Sequence, residues 1–262
     1  MRMINLTMPF FEGMGYSTVY PQEQPFTVEW IYTWEKHGHQ RGVHIFSSEP
    51  GTRMILPSIS VEQKDSPKLD EIDLQQFVLR DTAILDVPKG AEEVITAADI
   101  DKAMAKADVR QGDAILVRTG WGTEKRLMEL GDKYELTSPY YSDEACVRLL
   151  EIMNRYKSNL FCYDVANCSD YTQTKATWCK LQPRPKSYVS SEAKAFLAEQ
   201  DQLRHGPGPR RNVMRFFEAG IAAIGGMVNC TEISKPRFKL TALPFRIKGW
   251  GVAGCSAIGI ED

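Results

Sequence analysis

The sequence predicts an α/β fold, and two observations support this prediction. An amphipathic helical pattern that begins near Thr96 is followed by the apolar segment Ala114–Arg118, and a second pattern, over 142–156, is followed by an apolar segment at 159–163. Alternation of helix and strand is typical of α/β domains. The segment Ala114–Arg118 is apolar along almost its whole length, which indicates a strand that is covered on both faces.

The remaining strands are predicted from local composition. Residues 27–33 and 82–87 are rich in β-branched and aromatic residues, and an extended stretch begins at 42–46 and continues past Gly51 to Ser60. Residues 238–247 alternate between apolar and polar side chains, as a half-buried strand does. Glycine dominates the segment that follows, so no strand is predicted there.

The helices are predicted from their caps and their apolar faces. Thr96 and Asp99 have the spacing of a capping box. The Thr96 hydroxyl would accept from the Asp99 amide, and the Asp99 carboxylate would accept from the Thr96 amide. Residues 214–220 also show a helical pattern. The apolar faces of the first two helices consist of Ile100, Ala103, Met104 and Ala107 in one and of Cys146, Leu149, Leu150 and Met153 in the other.

Composition and charge exclude several classes of protein. The chain has 262 residues, of which 43% are hydrophobic and 25% charged, and its formal net charge is −2. These fractions are those of a globular domain, and a near-neutral chain has no general attraction for nucleic acid or an anionic membrane. No apolar run approaches the roughly 18 residues of a membrane-spanning helix. We therefore expect a cytoplasmic protein without nucleic-acid or membrane partners.

The cysteines indicate packing rather than chemistry. None of the six forms a C-x-x-C pair, so the sequence shows neither a zinc ribbon nor a thioredoxin-type redox site. In a reducing compartment we expect them to be buried thiols. No glycine-rich phosphate loop is present, and we expect no cofactor.

Residues 164–211 form the irregular part of the chain. They contain four prolines and one short helical pattern, at 191–203. Connections longer than about 15 residues are uncommon in compact domains unless they have a function. We expect a single domain over 1–262 that carries an insertion or lid at about 168–211.

Five segments occur in the order of one known family. They are INLTMPF near residue 4, Gly51-Thr52 with Pro57, VITAADIDKA with GDAILVRTGW, LFCYDVANCSD and LTALPFRIKGWG. Together they resemble the cyclase family, which includes bacterial kynurenine formamidases and isatin hydrolase. The resemblance covers most of the chain and implies a swivelling β/β/α domain with a mixed β-sheet core, assembled as a homodimer or larger oligomer. It also implies hydrolysis of amides or lactones at a zinc or manganese site.

The residues that would hold that metal differ here. The family signature is H-x-G-T-H-x-D-x-P-x-H, and alignment on Gly51-Thr52 places Glu49 and Arg53 at its first two histidines. Ile55 and Ile59 occupy the positions of the aspartate and the last histidine. A guanidinium has no lone pair for a metal and repels a divalent cation. The later catalytic histidine and glutamate of the family are also missing, and Gly225-Gly226 falls near the position of that glutamate.

Three residues are candidates for catalysis without a metal. Arg53 places a fixed positive charge at the signature, where it could hold a substrate carboxylate or a developing oxyanion. Glu49 could act as a general base, or it could form a structural ion pair with Arg53. Asp164 follows a predicted buried strand, where α/β folds place functional groups. The resemblance implies that Asp164 mainly supports its loop.

Aromatic residues could form a pocket for a planar substrate. The candidates for substrate binding are Tyr20, Trp30, Trp34, Trp121 and Ser58, although core packing is the more common role of such aromatic side chains. A replacement metal site is a further alternative. His37 and His39 would share one face of an extended segment, with His44 nearby, and could bind a metal together with Glu49.

Three functions remain open from the sequence. The first is an enzyme without the family metal that acts on a small, aromatic or carboxylated amide, lactone or related cyclic compound, by hydrolysis, cyclisation or elimination. The second is a non-catalytic relative that binds a ligand. The third is a metal-dependent amidohydrolase that uses the relocated site at His37, His39 and Glu49.

Overall fold

The structure is a computed structural model that describes residues 1–12, 14, 26–45, 51–60, 62–131, 133–166, 168 and 211–261. The chain forms a mixed α/β fold. Its strands are β1 (Arg2–Asn5), β2 (Thr27–Tyr32), β3 (Arg41–Ile45), β4 (Arg53–Ile55), β5 (Arg80–Asp86), β6 (Val94–Ile95), β7 (Ala114–Arg118), β8 (Tyr140–Tyr141), β9 (Leu160–Tyr163), β10 (Ala222–Gly225), β11 (Arg237–Pro244) and β12 (Val252–Glu261). Its helices are α1 (Trp34–His37), α2 (Ala97–Met104), α3 (Glu124–Leu130), α4 (Lys133–Leu136), α5 (Asp143–Arg155) and α6 (Arg211–Glu218).

Eight strands form the central sheet in the order β1-β12-β11-β5-β7-β9-β10-β4. Strands β5, β7, β9 and β10 are parallel, and the other neighbours are antiparallel. Strand β4 pairs with β10 on one side and with the first residues of β12 on the other. The sheet therefore closes on itself at β4.

Two apolar clusters pack on the two faces of this sheet. One contains the buried faces of α2, α5 and α6, together with alternate residues of β5, β7 and β9. The other contains the residues that point the opposite way, such as Met54, Leu116, Cys162 and Ile224. Because successive side chains of a strand point to opposite faces, Met54 and its neighbour Arg53 lie on opposite sides of β4.

The predicted helix start at Thr96 is confirmed. Thr96 Oγ1 accepts from the Asp99 amide at 3.2 Å, and Asp99 Oδ2 accepts from the Thr96 amide at 2.8 Å. The helix predicted over 142–156 is α5, which begins at Asp143 after the N-cap residue Ser142. The predicted faces are buried at Ile100, Ala103, Cys146, Leu149 and Met153, whereas Met104, Ala107 and Leu150 are partly buried.

Three predictions about the chain differ from the structure. The glycine-rich stretch after residue 249 forms β12, a ten-residue strand, although no strand is predicted there. The strand predicted over 238–247 is β11, which ends at Pro244. In the stretch predicted as extended from 42 to Ser60, the described residues form the end of β3, the short strand β4 and then a 3₁₀ turn at Pro57–Ile59. The helix predicted at 191–203 lies outside the described residues.

The cysteine prediction is confirmed for the described residues. Cys146, Cys162, Cys168, Cys230 and Cys255 are all free and buried. In this part of the chain, no helix has the length and apolar character needed to cross a membrane.

Candidate functional site

Arg53 is the most deeply buried charged side chain at the signature segment. It begins β4 and is 2% exposed. Its Nη1 donates to the carbonyl of Gly51 at 3.1 Å, and its Nη2 donates to the carbonyl of Ala166 at 2.9 Å. The guanidinium thus joins β4 to the loop that follows β9, at the carboxyl ends of the parallel strands. This is the edge of a sheet where α/β proteins bind ligands.

Glycines flank Arg53 in both neighbouring strands. Gly225 of β10 and Gly254 of β12 are its register partners. A Cβ atom at Gly225 would lie 2.3 Å from the ring and the hydroxyl of Tyr163, so the aromatic ring occupies the space that a side chain would need. At Gly254 the nearest atom would be 3.5 Å away, in Phe245, which leaves ordinary contact distance.

Gly226 forms the base of the Arg53 site. Its φ of 67° is in the left-handed region that favours glycine. A Cβ atom there would lie 2.6 Å from the Gly51 carbonyl oxygen and 3.2 Å from Arg53 Nη1. The segment that lacks the family's glutamate therefore provides the space that the Arg53 side chain fills.

Thr52 fixes this arrangement from the opposite face of β4. Its Oγ1 donates to the Gly226 carbonyl at 2.8 Å and accepts from the Met8 amide at 2.8 Å. The hydroxyl is buried. It holds the segment before Arg53 against the turn that contains Gly226.

Asp164 is buried and supports a neighbouring loop. Its carboxylate accepts from the Thr119 amide at 2.9 Å, from Thr119 Oγ1 at 2.7 Å and from the Gly120 amide at 2.8 Å. Burial raises the pKa of Asp164, and the hydrogen bonds from Thr119 and Gly120 oppose that rise. With its oxygens occupied by these donors, the carboxylate orders the loop that leads to Trp121.

Two thiols lie near Arg53. The charge of Arg53 lowers the pKa values of Cys168 and Cys255, but burial has the larger effect and raises the pKa of Cys255 to about 12. The pKa of Cys168 is also raised well above its usual value by burial. Neither thiol is therefore an activated nucleophile, which requires a lowered pKa.

The other predicted site residues are not brought together. Trp30 and Trp34 are 53% and 58% exposed and belong to the β2–β3 hairpin and α1, whereas Trp121 is 2% exposed and lies in the core. Ser58 is half-buried in the 3₁₀ turn after β4, and its Oγ has no hydrogen-bond partner among the described residues. Glu49 and Tyr20 lie outside the described residues.

The three candidate histidines pack against aromatic rings and do not form a cluster with one another. The rings of His37 and His39 each lie 4.9 Å from the ring of Tyr32. His37 Nδ1 accepts from the Thr33 amide at 3.1 Å, and the ring of His44 lies 5.5 Å from that of Phe26. Among the residues that the structure describes, no three His, Cys, Asp or Glu side chains are grouped so that they could hold a metal.

Comparison with known families identifies the scaffold. Residues 4–156, more than half of the chain, match the family model described as "Putative cyclase". The chain belongs to the cyclase family. No curated protein matches the sequence significantly.

Solved cyclase-family structures show the same fold. Isatin hydrolase A from Labrenzia aggregata is 17% identical with a TM-score of 0.70, over 100% of this chain and 94% of that chain. The enzyme from Ralstonia solanacearum is 16% identical with a TM-score of 0.70, over 99% and 92%. A "predicted metal-dependent hydrolase from Bacillus stearothermophilus" is 15% identical with a TM-score of 0.60, over 98% and 97%. Membership and fold together support an enzyme of the hydrolase or cyclase type.

The residues at the signature of this cyclase-family chain do not fit the family's metal. Arg53 offers only N–H donors, and two of them already bind backbone carbonyls. Ile55 is a buried apolar side chain in the core, and Ile59 is 36% exposed. Among the signature residues that the structure describes, a divalent cation would meet a buried positive charge and apolar side chains instead of the family's imidazoles and aspartate.

Sequence reasoning missed the residues that hold Arg53. Gly225-Gly226 was interpreted only as the loss of a glutamate, but it also provides space for Tyr163 and for the guanidinium. Thr52 was treated only as part of the signature. The one signal in the sequence is the glycine pair Gly225-Gly226, because two adjacent glycines in an apolar segment leave room for large neighbouring side chains.

Proposed function

We propose that this cyclase-family chain is an enzyme that uses Arg53 in place of the family's divalent metal. The observation that supports the proposal is the burial of the Arg53 guanidinium at the carboxyl edge of the sheet, held by the Gly51 and Ala166 carbonyls. Burial strengthens electrostatic interactions because it removes the screening by water. A fixed positive charge in such a site can bind a carboxylate or stabilise an oxyanion.

The proposed substrate is a small, aromatic or carboxylated amide, lactone or related cyclic compound. The solved relatives that bear the name isatin hydrolase support the aromatic cyclic class. In the proposed reaction Arg53 anchors the substrate or polarises its carbonyl, Glu49 moves the proton, and Asp164 keeps the Thr119–Trp121 loop in place. Hydrolysis, cyclisation and elimination all require a proton transfer and the stabilisation of negative charge on oxygen.

Metal content and turnover test the proposal together. We expect protein expressed with added zinc and manganese to contain far less than one equivalent of either metal, as measured by elemental analysis. We expect turnover of a panel that begins with isatin to survive dialysis against a chelator. Arg53→Lys and Glu49→Gln should each lower kcat by about 100-fold or more. Near-stoichiometric metal, together with loss of activity on chelation, would contradict the proposal.

A ligand-binding protein without catalysis is the second candidate. The observation that favours it is structural: two donors of Arg53 and the carboxylate of Asp164 are engaged with backbone groups. On this hypothesis Arg53 still attracts an anion, but no member of the substrate panel is turned over. Calorimetric binding of isatin or an aromatic carboxylate in the absence of turnover would favour this second function.

We also propose that the chain forms a homodimer through the β2–β3 hairpin. Trp30, Ile31 and Val43 of this two-stranded sheet, and Trp34 of helix α1 between its strands, are each between 45% and 58% exposed. An isolated hairpin is marginally stable in water, and a large exposed apolar surface indicates an interface. We expect light scattering to give twice the monomer mass for the native protein and the monomer mass for Trp30→Arg. A native monomer would contradict this interface.

The proposed compartment is the cytoplasm. The five free thiols of the described residues support it because disulfides are rare in that reducing environment.

A further inference from the structure

A cavity lies at the edge of the sheet opposite Arg53. Its volume is about 350 Å³, and its wall includes the first residues of β9 and β10, Leu160 and Ala222. Asp164 and Gly226 follow the other ends of these two strands. The cavity is therefore separate from the candidate site that contains Arg53.

One wall of this cavity is apolar. Leu56, Phe77 and Leu160 are at most 5% exposed, and Ile72 is partly buried beside them. The volume is near the lower end of the range for small-molecule pockets, about 300–1,000 Å³. The cavity thus has the size and the apolar surface to hold one small organic molecule.

Arg80 does not line the cavity but is hydrogen-bonded to one of its wall residues. Its Nη2 donates to Oδ1 of Asn159, a wall residue, at 2.7 Å. Its Nε is buried without a hydrogen-bond partner. Among the described residues, no carboxylate lies within 4.0 Å of this guanidinium. The Asn159 amide nitrogen has no partner in the same part of the chain, so this side of the wall presents donors.

Asp73 adds the opposite charge to the wall. Its Oδ1 accepts from the Gln75 amide at 3.0 Å. No lysine or arginine of the described ranges forms an ion pair with it. The wall thus carries one exposed carboxylate, Asp73, and the guanidinium of Arg80 lies behind the wall residue Asn159, with no ion pair to either charge among the described residues.

We infer that this cavity binds a small zwitterion, an α-amino acid with an apolar side chain. Its carboxylate would accept from Asn159 and face Arg80, its ammonium group would donate to Asp73, and its side chain would pack against Leu56, Ile72, Phe77 and Leu160. A ligand with only one charge would interact with Asp73 or with Arg80 but not with both, so it would gain less from the site than a zwitterion does. The inference does not depend on the proposed function.

Calorimetry with L-leucine and its two half-ligands tests this site. The half-ligands are 4-methylpentanoate, which lacks the ammonium group, and 3-methylbutylamine, which lacks the carboxylate. We expect L-leucine to bind the native protein at least about tenfold more tightly than either one, because each charge contributes on the order of one decade in Kd.

Variants separate the two charges. Asp73→Asn should weaken L-leucine about tenfold and leave 4-methylpentanoate unchanged, whereas Arg80→Gln should weaken L-leucine and leave 3-methylbutylamine unchanged. Asp65→Asn, a nearby change outside the wall, should have no effect, and circular dichroism shows whether each variant is folded. No binding of L-leucine at about 10 mM would overturn the inference, because the affinity would then be weaker than a specific site provides. Equal binding of L-leucine and 4-methylpentanoate, or L-leucine affinity that does not change in Asp73→Asn, would also overturn it.

These outcomes are distinguishable from a failure of the proposed function. Neither Asp73 nor Arg80 contacts Arg53, Gly51 or Ala166. Turnover of the substrate panel and binding of L-leucine are therefore independent measurements.

Discussion

Gly225→Ala is expected to lower the free energy of unfolding by about 3 kcal/mol, the upper end of the cost of forcing extra volume into a packed core. The new methyl group would lie 2.3 Å from the ring of Tyr163, which is itself completely buried. The ring of Tyr163 packs against that of Phe161, with ring centroids 5.2 Å apart, which limits the room for the tyrosine to move. Urea denaturation measures this change.

A second substitution shows whether the clash with Tyr163 is the cause. Tyr163→Leu removes the atoms that the methyl group would meet. The loss of unfolding free energy in the double variant should therefore be about 2 kcal/mol smaller than the sum of the losses in the two single variants. Gly254→Ala is the matched control, because it is the register partner of Arg53 on the opposite side and has contact space of 3.5 Å. It should cost less than about 1 kcal/mol. Additive effects of Gly225→Ala and Tyr163→Leu would contradict the explanation.

Arg53→Met is expected to lower the free energy of unfolding by about 3 kcal/mol. The change leaves the Gly51 and Ala166 carbonyls, both buried, without their guanidinium donors, and each orphaned acceptor costs about 1–3 kcal/mol. Removal of the buried charge offsets part of this loss, because a guanidinium is costly to desolvate. Denaturation of the native and variant proteins by urea at neutral pH gives the difference.

Arg110→Met provides the control for loss of a positive charge alone. The side chain of Arg110 is 66% exposed and pairs with Asp108 at the surface, so its removal should leave the stability almost unchanged. Higher stability in Arg53→Met than in the native protein would show that the carbonyls do not need the guanidinium. That result would contradict a stabilising role of the hydrogen bonds from Arg53 to these carbonyls. Only an electrostatic role in ligand binding would then remain for Arg53.

The sequence predicted most of the elements that local patterns define. The helix beginning after Thr96 and the strand Ala114–Arg118 carry strong caps and apolar patterns, and both are present. Strand β12 was missed because Gly254 and Gly259 lower its intrinsic strand preference. Pairing with β1, β4 and β11 stabilises β12 where its local sequence does not. A short stretch of sequence cannot indicate pairing between residues so far apart in the chain.

The candidate site was predictable only in part. The sequence alone shows that Arg53 replaces a metal ligand, because a guanidinium cannot coordinate a cation. Its partners are backbone carbonyls, and these carry no sequence signal at all. The hydrogen bonds of Asp164 are with Thr119 and Gly120, 45 and 44 residues away in the chain, so only the folded sheet brings them together.

Strand β12 pairs with both β1 and β4, and this double pairing has a consequence for the order of folding. Residues 258–261 pair with β1 and residues 252–254 pair with β4, which joins positions separated by about 200 residues or more. Contacts of such separation form slowly, because a long loop must close before any pairing energy is gained. During synthesis, β1 and this edge of β4 therefore remain open until residues 252–261 leave the ribosome. Until then their exposed backbone groups are open to association with other chains.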